Sequence, residues 1–284
     1  VKKPVILLIA GAVLALGLYF FGNTKAPKKP AAANAEKTEQ NFDIQSFIAE
    51  SKKSLSPTQL ISLSQLENNI TRGDIQAQQL TSLQALASFW RDSARAFEPY
   101  AFYISEAAKL ENSEKNLNFA AQLILENLRG EGDVPKLNWK TTLAIGLFEQ
   151  AIRINPENDD LRIGLGSCYI FGKGRNGDPA ESMKGIQEIL AVSRKDSNNM
   201  KAQLMLGVGG YVSGQYDKAI ERLKKVVERE PGNLEAIAFL ADTYAAKGDK
   251  NEAIRWYQIS KRLANNPHYS EEVDNRIRSL QQEK

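Results

Sequence analysis

An echo at 34 residues constrains this chain more than any other feature. Leu206 recurs as Leu240, Gly214 as Gly248 and Ala219 as Ala253, each 34 residues apart. Looser matches keep the same register: Gly207 with Ala241, Leu223 with Tyr257, Val226 with Ser260. A fixed period of this length marks one supersecondary unit stacked on copies of itself. Apolar residues recur at helical spacing from Asn41 onward, and no stretch alternates with period two, so the expected unit is a pair of helices. One pair cannot bury its own apolar face. Neighbours must stack, and the expected fold is an all-α solenoid.

The order of residues within the period is specific. It runs large apolar, small, aromatic, then glycine in the turn, alanine in the second helix, a bulky residue, a small residue and proline. Met200–Asn233 supplies Leu206, Gly207, Gly214, Tyr216, Ala219, Leu223 and Pro231. Leu234–Pro267 supplies Leu240, Ala241, Tyr244, Gly248, Ala253 and Tyr257, with its proline two positions late at Pro267. This pattern resembles the tetratricopeptide repeat family, and the layout resembles bacterial membrane-anchored members of it. The resemblance implies a right-handed α-solenoid with four repeats at 117–158, 159–199, 200–233 and 234–267. The first ends in Ala144, Phe148, Ala151 and Pro156, with a loop expected from Gly130 to Asn138. The second carries Leu165, Gly166 and Tyr169, a loop from Phe171 to Asp178, then Gly185, Ile189 and Val192. Gly166, Gly207, Ala241, Ala219 and Ala253 are expected where paired helices touch.

Residues 41–116 read as degenerate helical hairpins. Ser56, Pro57 and Gln59 form an N-cap, an N1 proline and a capping box. Ser113 is expected to cap a further helix. Residues 268–284 read as a capping helix, with Val273, Ile277 and Leu280 as its one apolar stripe.

Val5 to Gly22 is eighteen residues without a charge. As a helix it spans roughly 27 Å, against about 30 Å for the bilayer's hydrocarbon core. The best small-residue cleavage site, Ala33-Asn34-Ala35, lies beyond Lys25, Lys28 and Lys29. An uncleaved signal anchor at 1–22 is therefore expected, not a signal peptide. Gly11 and Ala15 match a small-xxx-small helix contact that plain membrane filler also explains. Residues 23–40 are rich in Ala, Lys and Pro and read as a tether. A short basic N-terminal tail stays in the cytoplasm, which places the rest on the periplasmic side of a single-pass cytoplasmic-membrane protein.

Composition excludes several functions. The net charge of +3 gives no electrostatic case for nucleic acid. One cysteine, Cys168, and one histidine, His268, leave no disulfide framework and little material for a metal site or His-based catalysis. Carboxylates are scattered, with no motif placing two as acid and base. Gly172-Lys173-Gly174-Arg175-Asn176-Gly177 matches a dinucleotide fingerprint, but that fingerprint needs a preceding strand. Between two solenoid helices its glycines are expected to supply positive φ in a long turn. Arg72-Gly73-Asp74 reads as a helix stop and an Asp N-cap. Cys168 reads as a buried structural thiol and His268 as solvated. No catalysis, cofactor, metal or small-molecule substrate is expected.

By family resemblance, the first helix of each pair lines the concave wall. The exposed positions map to Asp160, Ile163, Ser167, Ile170 and Phe171, then Lys201, Leu204, Val208, Tyr211 and Val212, then Glu235, Ala238, Asp242, Ala245 and Ala246. The carboxylate clamp of chaperone-binding members is missing, since Ile163, Ser167 and Glu235 occupy its positions. The expected protein-binding groove is Ile163, Ser167, Ile170, Phe171, Leu204, Val208, Tyr211, Val212 and Asp242, suited to an apolar or amphipathic segment. The alternative is that the chain's own N-terminal helices cover it. The layout fits a membrane-anchored scaffold or assembly factor. By analogy it also fits the substrate-presenting subunit of a cell-envelope maturation machine, as in tethered repeat proteins that guide apocytochromes.

Overall fold

The computed structural model describes residues 42–72, 76–176 and 179–282. The proposed membrane span at 5–22, the tether at 23–40, Asp74 and Gly177 lie outside the described residues. Among the described residues there are thirteen α-helices and no strand. They are α1 (Ile44–Lys52), α2 (Pro57–Arg72), α3 (Gln76–Ser88), α4 (Phe97–Glu111), α5 (Glu114–Leu128), α6 (Val134–Ile154), α7 (Asp159–Phe171), α8 (Pro179–Lys195), α9 (Met200–Val212), α10 (Tyr216–Arg229), α11 (Leu234–Lys247), α12 (Lys250–Ala264) and α13 (Pro267–Gln282). A π-turn at Phe89–Ser93 prolongs α3, and a 3-10 turn at Lys173–Asn176 follows α7.

Local chemistry sets where helices begin. The side chain of Asn199 accepts from the Ala202 amide and that of Asn233 from the Ala236 amide, so the last two repeats each open on an asparagine cap. Asp249, Asp133 and Ser113 do the same at α12, α6 and α5. The capping box at α2 forms in both directions: the Ser56 amide donates to Gln59 Oε1, and the Gln59 amide donates to Ser56 Oγ. Gly214 and Gly248 adopt φ of +75° and +89°, the left-handed turn that only glycine reaches without strain.

The pairs α5–α6, α7–α8, α9–α10 and α11–α12 pack as hairpins, and α13 closes the end. Small residues make the hairpins tight. A Cβ on Gly166 would sit 2.6 Å from the Gly185 carbonyl oxygen, and one on Gly207 would sit 2.6 Å from Leu223 Cγ. Ala219, Ala241 and Ala253 are fully buried. Val273 is buried, and Tyr269, Ile277 and Leu280 pack on the same core, while the opposite face of α13 is polar. Three apolar clusters follow one another along the array. They run from Ile48, Leu63 and Trp90, through Leu117, Phe148 and Leu161, to Ile170, Leu206 and Leu240.

Two expectations change. The α5–α6 connection is only Arg129–Asp133, because Asp133 caps α6 and the Lys136 amide donates to it at 2.9 Å. The described glycines of the 172–177 loop do not supply positive φ, since that conformation is confined to Gly214 and Gly248 among the described glycines. Gly172 and Gly174 are there for space: their hydrogens face the side chains of Thr141 and Ser182 at distances a methyl group could not occupy.

Candidate functional site

First helices touch the first helices of neighbouring pairs: α5 with α7, α7 with α9, α9 with α11. This places them on the inside of the curve, where a groove was expected. Most of the expected groove is core. Ile163, Ser167 and Ile170 on α7 are buried, as are Leu204 and Val208 on α9. The Ser167 hydroxyl is turned back onto its own helix and donates to the Ile163 carbonyl at 2.7 Å.

The cause lies in the glycines of α9. Besides Gly207 against Leu223, a Cβ on Gly209 would lie 2.9 Å from Ile186, and one on Gly210 would lie 3.1 Å from the Ala219 Cβ. Three glycines let α8 and α10 press onto the backbone of α9, and α7 and α11 flank it. Every residue from 202 to 210 is buried as a result. The helices α7, α8, α10 and α11 all pack directly on α9, so these repeats bury this part of the wall themselves.

What remains partly open of the expected apolar groove is a rim at the C-terminal ends of α7 and α9. Phe171 and Tyr211 are half-buried, and Val212 is 40% exposed. Tyr211 packs edge-on against Phe239, with ring centroids 5.9 Å apart. Burial, with the Asp242 carboxylate second, pushes the Tyr211 hydroxyl above the ordinary tyrosine range. Asp242 itself is engaged: it accepts from the Tyr257 hydroxyl at 2.5 Å and from Arg276 at 2.6 Å, which ties α11 to α12 and α13. Asp160 pairs with Lys201 at 3.0 Å.

Arg129 is the residue that sequence reasoning missed. It follows α5 directly, yet its guanidinium lies 4.5 Å from the centre of the Phe171 ring and pairs with Glu235 at the start of α11. Only a fold that brings the first pair across to the fourth creates this contact, and no local pattern announces it.

The chemistry of the site is that of contact surfaces. Cys168 is fully buried, and burial pushes its thiol well above the ordinary range, which disfavours the nucleophilic thiolate. Among the described residues no group of three or more His, Cys, Asp or Glu is placed to hold a metal ion. No helix among the described residues is long and apolar enough to cross a membrane.

Residues 213–271 match the tetratricopeptide repeat. Over that stretch the chain is similar to the tetratricopeptide repeat family. A curated relative, BBSome complex member BBS4 of Bos taurus, is 32% identical over 109 residues, which cover 38% of this chain and 20% of that protein. Solved structures with a related course of chain include MamA of Desulfovibrio magneticus RS-1, at 18% identity and a TM-score of 0.46. That match covers 68% of this chain and 97% of that one. YrrB, described as a tetratricopeptide repeat protein with an unusual peptide-binding site, is 16% identical with a TM-score of 0.45, covering 74% and 97%. A stacked helical-hairpin scaffold of this family suits protein–protein interaction.

Proposed function

We propose that the chain is a non-catalytic scaffold or assembly factor, anchored in the cytoplasmic membrane through residues 5–22. In this reading it captures a protein or peptide segment at the rim formed by Phe171, Tyr211 and Val212. One observation carries it. Where the inner faces of α7 and α9 are otherwise largely core, these apolar side chains stay partly open, at the same end of neighbouring first helices. Half-open aromatics of this kind contribute most once a partner covers them. Asp242 aligns the last helices instead of meeting the ligand, since Tyr257 and Arg276 already occupy it. The array lies on the periplasmic side, and no nucleic acid, cofactor or small-molecule substrate takes part.

The test is a pull-down from detergent-solubilised membranes, comparing the wild type with Val212→Asp and with Tyr211→Ala. The wild type stays with carbonate-washed membranes and retains a stoichiometric protein partner. Val212→Asp loses the partner at an unchanged melting temperature. A partner that survives both substitutions refutes the rim, and a wild type with no stable protein partner refutes the scaffold.

A further inference from the structure

We propose that the Arg129–Glu235 contact is an autoinhibitory latch: it ties the first repeat pair to the fourth across the inner wall, and its release uncovers the Phe171 part of the rim. The inference rests on the reading of that rim as the docking surface. The contact joins residues 106 positions apart, from the end of the first repeat pair to the first turn of the fourth. The other described inner-wall pairs link neighbours: Asp160 with Lys201 joins α7 to α9, and Asp242 with Arg276 joins α11 to α13. Only a contact between distant pairs constrains the curvature of the whole stack, because a solenoid otherwise sets its shape by nearest-neighbour packing.

The geometry couples the latch to the rim. The guanidinium that meets Glu235 also lies over the Phe171 ring, so the closed latch covers one of the aromatics a partner would use. Its base is fixed. Arg175, from the turn after α7, donates to the carbonyl oxygens of Leu128 at 3.3 Å and Arg129 at 3.2 Å. The side chain is then the moving part, while Gly130 just beyond it faces open space. The side chains of Arg129 and Glu235 are 40% and 35% exposed. A pair so wetted is weak and screened by salt, which suits a contact that must open.

The experiment needs no partner, so its outcome is independent of whether the rim binds one. Spin labels are placed on Glu126→Cys and Glu228→Cys of the full chain in mild detergent. Both positions are exposed, and the native Cys168 is buried and stays unlabelled. Pulsed electron paramagnetic resonance then reads the distance across the array. At about 0.1 M salt the wild type gives one short distance. A longer population appears at about 1 M, where the screening length falls to about 3 Å. Glu235→Gln and Arg129→Gln each show that longer population at low salt and no further change at high salt. Glu235→Asp, which keeps the charge but shortens the reach, shows it too. Distance distributions of these variants that superimpose on the wild type overturn the latch, as does an equal salt response in all of them.

Discussion

Adding one methyl group at Gly166 should destabilise the protein, and adding the same group at Gly146 should stabilise it. Both glycines lie inside helices, where alanine is favoured over glycine by about 1 kcal/mol. Gly146 on α6 is exposed, with nothing within 4 Å of a new Cβ, so that gain is collected in full. Gly166 is different. Its new Cβ would lie 2.6 Å from the Gly185 carbonyl oxygen, where ordinary contact begins at 3.4 Å, and it would also meet Ile189. A backbone carbonyl cannot rotate away, so α7 and α8 must separate. Overpacking costs about 1–3 kcal/mol, and the rigid neighbour argues for the upper end. The net loss is then about 2 kcal/mol, or a melting temperature roughly 4–8 °C lower, against a rise of about 2–4 °C for Gly146→Ala. Thermal melting followed by far-UV circular dichroism decides it. A Gly166→Ala protein at least as stable as the wild type would refute the close helix contact, and with it the assigned repeat register.

Two further outcomes follow from buried groups. Lys140 is 2% exposed and binds Glu131 at 2.6 Å, Glu98 at 3.0 Å and Asn127 at 2.7 Å, so Lys140→Met strands two nearly buried carboxylates and should cost about 3 kcal/mol at neutral pH. Burial raises the Glu131 carboxyl, but its bonds to Lys140 and the Asp133 amide outweigh that and hold it below the ordinary range. Its contribution is therefore complete above the unfolded value of about 4.3 and is lost as pH falls through the lower folded value. The stability gap between wild type and variant should narrow on acidification, and urea titrations showing a constant gap would refute the network. Cys168 should resist an exchange reagent such as Ellman's in the native state and react only on unfolding; prompt native labelling would contradict its burial.

The repeats were legible because each position in the period answers a separate physical demand. Gly214 and Gly248 serve a left-handed turn, while Ala219 and Ala253 serve a contact with no room for a larger side chain. The groove was misjudged because family position decided exposure there. The residues of α9 argued otherwise: Leu204, Met205, Leu206 and Val208 face every direction, and a helix apolar all round is a buried one. Three glycines in that helix also say that neighbours approach from more than one side. The glycines of the 172–177 loop misled in a similar way, because a flexible-turn reading and a close-packing reading require the same residue. Arg129 was not legible at all. Its partners Phe171 and Glu235 are set by the curvature of the stack, which sums small rotations over several pairs and leaves no mark at any single position. The residues that regulate a solenoid can therefore lie where its repeat pattern is silent, in the connections whose side chains reach across the curve.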